Sequence, residues 1–294
     1  MIMDKVGYYI IRFFLQAIIN ILSPFLYVFS TVLKFVLFDL IGYRNKVIIS
    51  NLKNSFPNKS EKEIKEISNR FYIFFCDLFL ETLQTLTLSG NKIRERCKIS
   101  SQAKELIDGF QIKNQSIIIV MGHIGNWEWG GASFSSEFNM QLNVIYHPLK
   151  NKVFNHLVRF MRMRYGTGLI AMNDSFREMV KNRNNLTATA FIADQSPPPE
   201  GAHWLYFLNQ NTPFFRGPET LSKKMDLPVV YVSLSRIKRG HYILNAELLV
   251  EHPKNTPSGY ITEVFAKKLE QEIVSQPEIW LWSHKRWKHK KILE

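Results

Sequence analysis

The chain is poor in cysteine and in acidic residues. Only Cys76 and Cys97 occur, in no metal or redox spacing. That excludes a disulfide scaffold and a thiolate zinc site, and fits two unpaired thiols in a reducing compartment. There is no Gly-x-Ser-x-Gly elbow, no Gly-x-Gly-x-x-Gly dinucleotide loop, no phosphate-binding Gly-rich loop and no His-Glu-x-x-His pair. Internal repeats, low-complexity stretches, linkers and nucleic-acid motifs are missing too. Asp plus Glu number 25 against 38 Lys plus Arg, a formal charge of +13. Such a balance suits an anionic partner. The 22 Phe and six Trp turn that preference towards a membrane rather than nucleic acid. With 294 residues and 46% apolar content, the chain can build a large core.

From Phe13 to Leu33 there is no charge, and Arg12 and Lys34 close the two ends. This run of 21 residues has the length of a bilayer-spanning helix. It also contains Gln16, Asn20, Ser23, Pro24, Ser30 and Thr31, and Pro24 is expected to kink or divide the helix. A cleaved signal peptide is a poor reading, since no small-x-small site follows. A buried core helix would be very long. A membrane anchor, spanning or half-embedded, is preferred. Arg44, Lys46 and Lys53 follow it, whereas Asp4 and Lys5 cancel before it, which places the rest of the chain on the cytoplasmic side.

Ser60 and Glu63 form a capping-box pattern ahead of an amphipathic helix running to about Leu88. Beyond Phe71 this helix is apolar nearly all round, as expected of one buried on several sides. From Lys104 the pattern alternates. Strands are expected at Ser116–Met121, Leu142–Tyr146, Leu169–Ala171, Thr187–Ala193, Pro228–Leu234 and Tyr242–Val250. Helices are expected at Lys152–Tyr165, Ser175–Asn182, Gly217–Met225 and Tyr260–Ser275. The tail Lys285–Lys291 is basic. The predicted fold is α/β: one domain with a central, mostly parallel sheet flanked by helices, covering residues 46–294, behind an anchor segment over residues 1–45.

The densest chemical signal is Gly122-His123-Ile124-Gly125-Asn126-Trp127-Glu128-Trp129-Gly130-Gly131, after a buried strand and opening a helix. Chemistry in α/β proteins gathers at that end of a strand. On a straight helix a five-residue step turns through about 500°, so His123 and Glu128 would not share a face. With His123 in the turn before the helix, the Glu128 carboxylate can reach back to the imidazole. A carboxylate on one ring nitrogen fixes the tautomer and makes the other a general base for a hydroxyl. The bland alternative is a histidine capping a turn beside a solvated first-turn acid. Trp127, Trp129, Phe134 and Phe138 either line an apolar slot or pack the helix on the sheet.

The Gly-His-x-Gly-Asn-Trp-Glu form resembles the lysophospholipid acyltransferase superfamily, and within it the late acyltransferases of lipid A biosynthesis, the lauroyl and myristoyl transferases of Gram-negative bacteria. Further stretches are similar in the same order. These are Tyr146–Asn151, with His147 where Arg is usual, Arg162–Gly166, Ala193-Asp194-Gln195-Ser196, Phe214–Gly217, Pro228–Val230 and Pro277–Trp287.

The resemblance implies acyl transfer from an acyl carrier protein thioester to a hydroxyl of a lipid A precursor, at the bacterial inner membrane facing the cytoplasm. It requires no metal or organic cofactor, and no nucleic acid partner. His123 is then the base and Glu128 its orienter. Asn126, Arg162, Arg164, Asp194 and Arg216 form the expected substrate-binding set. Arg162 and Arg164 are expected at an oxyanion or phosphate. Asp194 either orders the site or holds Arg164, and Arg216 meets phosphate or pantetheine. His284 and Arg286 either line the same groove or are surface charges. Two other readings stay open: an acyltransferase for another lipid acceptor, and a non-enzymatic protein binding anionic lipid.

Overall fold

The computed structural model describes residues 2–289, with side chains from Gly7 onward. Lys290 and Lys291 of the basic tail lie outside the described residues. The elements in chain order are α1 (Ile2–Leu22), α2 (Leu26–Lys34), α3 (Asn45–Ser55), α4 (Glu61–Gln84), α5 (Gly90–Arg96), β1 (Cys97–Ile99), α6 (Ser101–Ile112) and β2 (Ile117–Met121). Then come α7 (Trp127–Glu137), β3 (Gln141–Tyr146), α8 (Lys152–Met163), β4 (Gly168–Ala171), α9 (Ser175–Lys181) and β5 (Thr187–Ile192). The chain continues with β6 (His203–Phe207), β7 (Gln210–Phe214), α10 (Gly217–Met225), β8 (Val229–Lys238), β9 (His241–Val250) and α11 (Tyr260–Ser275).

Side-chain caps set many of these starts. Ser60 accepts from the Glu63 N–H while the Glu63 carboxylate takes the Ser60 N–H, the complete capping box. Ser89, Ser100, Asn126 and Asn151 cap α5, α6, α7 and α8 in the simpler way. Beyond α4, the carbonyls of Thr85 and Leu88 both lie 2.9 Å from the Tyr165 hydroxyl, whose one proton they share, and Arg164 also donates to Thr85. The helix therefore stops at Gln84, short of the expected Leu88.

The main sheet has seven strands in the order β1-β9-β8-β2-β5-β3-β4. Strands β8, β2, β5, β3 and β4 are parallel, and β9 turns back against β8. All five residues of β2 are buried, as the run IIIVM requires of a strand covered on both faces. The separate hairpin β6–β7 was not legible from sequence. Its turn uses Leu208 and Asn209, both at positive φ, and leucine there is no turn signal.

The N-terminal segment divides at Pro24, as the sequence predicts, with a 3-10 turn over Ser23–Phe25. Gly7–Leu40 is the only stretch among the described residues long and apolar enough to cross a membrane (mean hydropathy 1.9). It is not detached from the domain. Helix α1 packs along α8, and α2 packs along α4.

Candidate active site

Strands β2 and β5 are parallel neighbours with Met121 in register with Ile192. Two residues beyond each lies a side chain able to do chemistry, His123 after β2 and Asp194 after β5. The register delivers both to one end of the sheet. Asp194 Oδ1 is 2.6 Å from His123 Nδ1, and Asp194 Oδ2 accepts the main-chain N–H of His123 at 2.8 Å. The indole of Trp280 donates to the same Oδ2 at 2.8 Å. Burial alone would raise the Asp194 pKa, but the His123 charge and these hydrogen bonds outweigh it and hold the carboxyl at about 2. An ionised Asp194 fixes the proton of His123 on Nδ1 and leaves Nε2 as acceptor. Gln195 places its amide nitrogen 3.3 Å from that Nε2.

The turn between β2 and α7 depends on two glycines. Gly125 has φ +60°, and a Cβ there would sit 2.7 Å from both Cβ and main-chain O of Leu234. A Cβ on Gly122 would fall 2.5 Å from Leu269 and 3.3 Å from Asp194 Oδ2. The C-terminal segment closes over this turn. Ile124 bridges to Trp280, and the Gly125 N–H donates to the Ile279 carbonyl at 3.0 Å.

Glu128 does not reach the imidazole. It is held by Arg162 in a bidentate pair, Nε to Oε2 at 2.9 Å and Nη2 to Oε1 at 2.5 Å. The charge of Arg162 overcomes the burial of Glu128 and keeps its pKa below the usual range, while Arg162 is shifted up in return. The carboxylate hydrogen-bonded to the imidazole is that of Asp194 rather than Glu128. In its first turn on α7, Glu128 faces α8, and the carboxylate facing the ring comes from the neighbouring strand.

Asn126 is fully buried and its side chain is hydrogen-bonded within the protein. Its Oδ1 accepts the Trp129 N–H at 3.0 Å, and its Nδ2 donates to Glu81 Oε2 at 2.9 Å. Glu81 also accepts from Tyr242 at 2.8 Å and from Tyr27 at 3.1 Å, and its carbonyl takes the Trp129 indole N–H. Burial raises the Glu81 pKa, with the Tyr242 and Asn126 hydrogen bonds acting against it. Sequence reasoning passed over Glu81. The available signal was a pair of carboxylates, Asp77 and Glu81, in a helix stretch otherwise apolar all round. Both must find donors.

Arg164 is exposed and donates to the Thr85 carbonyl at 2.7 Å, with no hydrogen bond to Asp194. Arg216 is exposed at the start of α10 and reaches Ser258. The structure does not bring Arg216 into the hydrogen-bonded group around His123. Arg286 is a core residue rather than a surface charge, only 1% exposed, with one donor on the Pro213 carbonyl. Burial lowers its pKa to about 10. His284, half-buried, accepts a long 3.4 Å hydrogen bond from the Ser196 N–H, and burial depresses its pKa to about 4.

Beside the dyad lies a narrow apolar cavity between α7, α8 and the sheet. The Trp127 ring, which meets His123 edge-on at 4.9 Å, forms part of its wall. Phe134, Gly131, Met161, Ala190 and Leu142 continue the lining, and the Glu128–Arg162 pair is its main charged element. Trp127 and Phe134 thus face the slot. Trp129 and Phe138 do not line it and are buried in the core.

A family model described as bacterial lipid A biosynthesis acyltransferase matches residues 3–289. The lipid A biosynthesis palmitoleoyltransferase of Escherichia coli (strain K12) is 21% identical over 256 residues, covering 85% of this chain and 81% of that protein. A lipid A biosynthesis acyltransferase of Shigella flexneri matches to the same extent. The lipid A biosynthesis myristoyltransferase of E. coli (strain K12) is 22% identical over 165 residues, covering 56% of this chain and 50% of that protein. With the match extending over nearly the whole described chain, the protein belongs to the bacterial lipid A biosynthesis acyltransferase family.

Proposed function

We propose that this chain transfers a fatty acyl group from an acyl carrier protein thioester to a hydroxyl of a lipid A precursor at the cytoplasmic face of the inner membrane. The observation that carries this reading is the His123–Asp194 pair, its acceptor nitrogen unblocked by any carboxylate, beside an apolar cavity of acyl-chain character. In the proposed reaction His123 Nε2 takes the proton of the acceptor hydroxyl as its oxygen attacks the thioester carbonyl. The tetrahedral intermediate collapses with loss of the thiolate, which receives the proton back from Nε2. A thioester needs no protein nucleophile for this step.

In this reading Asp194 positions the base. Glu128 and Arg162 act together at the cavity, where the carboxyl end of the acyl chain would lie. Arg164, beside the cavity residues Thr85 and Tyr165, is the proposed contact for an anionic acceptor group, and the basic surface suits an acidic donor protein. Asn126 acts through the backbone of the motif. Residues 1–45 serve as the membrane element and 46–294 as the catalytic unit. His147, where Arg is usual in the family, makes another lipid acceptor the second reading.

The test is a transfer assay on the full chain in detergent, with acyl carrier protein thioesters of several lengths and tetra-acylated lipid A precursor. A mass gain of one acyl chain that disappears in His123→Ala supports the proposal. No gain with any thioester redirects the search to other lipid acceptors. A gain that survives His123→Ala removes His123 as the base.

A further inference from the structure

Most polar residues of the charge-free run face the domain, whereas Asn20 is exposed. Gln16 donates to the Leu86 carbonyl at 3.0 Å, and Ser23 accepts from Gln84 at 2.7 Å. Tyr27 donates to Glu81 at 3.1 Å, and Ser30 to Asp77 at 2.5 Å. As the segment advances, its partners recede along α4, so it lies antiparallel to that helix. Arg239 holds Thr31 and Asp77 together, and Arg236 completes the shell of Asp77. At the other end the Arg12 guanidinium stacks 3.7 Å from the Phe160 ring of α8.

The opposite face carries Phe14, Ile21, Phe25, Val28, Val32 and Phe35, all exposed. Their spacing of three, four and seven makes one continuous stripe. The domain contacts, from Arg12 to Thr31, extend over about 30 Å at helical rise. A segment that crossed the bilayer would carry that whole contact face into hydrocarbon, together with Asp77, Glu81, Arg236 and Arg239. Arg239, whose side chain is still partly exposed, would have to exchange water for hydrocarbon, which is costly for a charge. Lying flat removes the conflict. The stripe enters one leaflet, the polar face stays on the domain, and Arg12 and Lys34 reach the headgroups.

We propose that Gly7–Leu40 binds the membrane as an in-plane, one-sided element whose partner is a leaflet containing anionic lipid. Both of its ends then lie on the same side of the bilayer. The formal charge of +13 favours an anionic leaflet over a second copy of the chain. The inference rests on the membrane part of the proposed function and not on acyl transfer. It also explains why α1 is clamped on α8. Met161 packs with Leu15 and Tyr8 of α1 and lines the acyl cavity, so the cavity wall sits next to the leaflet.

The experiment introduces Asp4→Cys or Lys62→Cys, one at a time, into the full chain. A membrane-impermeant maleimide is then applied to right-side-out and to inverted vesicles of the expressing bacterium. Cys76 and Cys97 are buried, and the unmodified chain serves as the control. The proposal expects both positions to be protected in right-side-out vesicles and both to lose that protection in inverted ones. Labelling of position 4 from the outside, with position 62 still protected, would show a spanning helix and overturn it. Recovery of the chain in the soluble fraction instead of floating with the vesicles would overturn the membrane reading as well, a separate and recognisable failure.

Discussion

Asp194 grips His123 twice, by its Nδ1 at 2.6 Å and by its main-chain N–H at 2.8 Å. The ring and its backbone are thus referenced to one carboxylate on the neighbouring strand. Asp194→Asn keeps the shape but can present its NH2 to Nδ1, which favours the wrong tautomer. The expected result is a fall in kcat of about 10²- to 10⁴-fold with little change in KM. Steady-state kinetics on the folded variant check this. Full activity in Asp194→Asn would remove the dyad.

The Glu128–Arg162 pair makes a different prediction. Both side chains are mostly shielded, at 14% and 20% exposure. Removing one partner leaves a poorly solvated charge. Glu128→Gln alone is expected to cost on the order of 2 kcal/mol of stability, at the low end for shielded pairs because some solvent remains. Adding Arg162→Met should return most of that stability without restoring activity, if the pair acts at the substrate. Thermal melts and transfer assays of Glu128→Gln, Arg162→Met and the double variant, read as a double-mutant cycle, separate the two effects.

Chain-length choice should follow the cavity. Gly131 lines it on α7, and a Cβ there would meet Leu142 only at an ordinary 3.8 Å. Gly131→Leu therefore fills slot space without a backbone clash. The expected outcome is a shift of preference to shorter acyl thioesters, measured by competition between donors. An unchanged preference would place the acyl chain elsewhere.

His284 predicts a pH dependence of stability. Its folded pKa is depressed to about 4 by burial, against 6.5 for the ordinary group. Below pH 6.5 the unfolded chain takes up a proton that the folded chain refuses. Stability is thus fully present above 6.5 and is lost as pH falls towards 4. His284→Gln should flatten that window by on the order of 2 kcal/mol. Asp194 contributes a second loss at lower pH, between 3.8 and about 2. Melting temperatures across pH 4–7 for the two proteins decide the matter.

Much of the architecture was legible because it rests on local rules. Helix α11 begins and ends at the predicted residues, and the buried run before His123 is the central strand. The break at Pro24 follows from a missing N–H and a ring clash, which need no tertiary context. The beginning of α4 was written in Ser60 and Glu63.

What the sequence by itself determined is therefore the alternation of elements, the His123 turn, the apolar N-terminal segment and the family resemblance. Each depends on residues close together in the chain. Only the tertiary structure decided which carboxylate meets the imidazole. His123 and Glu128 are near in sequence, but helix geometry turns Glu128 towards Arg162, whereas the register of two parallel strands brings Asp194 across 71 residues. Only the fold, likewise, turned Gln16, Ser23, Tyr27 and Ser30 inward. Whether a polar residue in an apolar helix is a flaw or a contact depends on what lies opposite, and that partner helix comes from elsewhere in the chain.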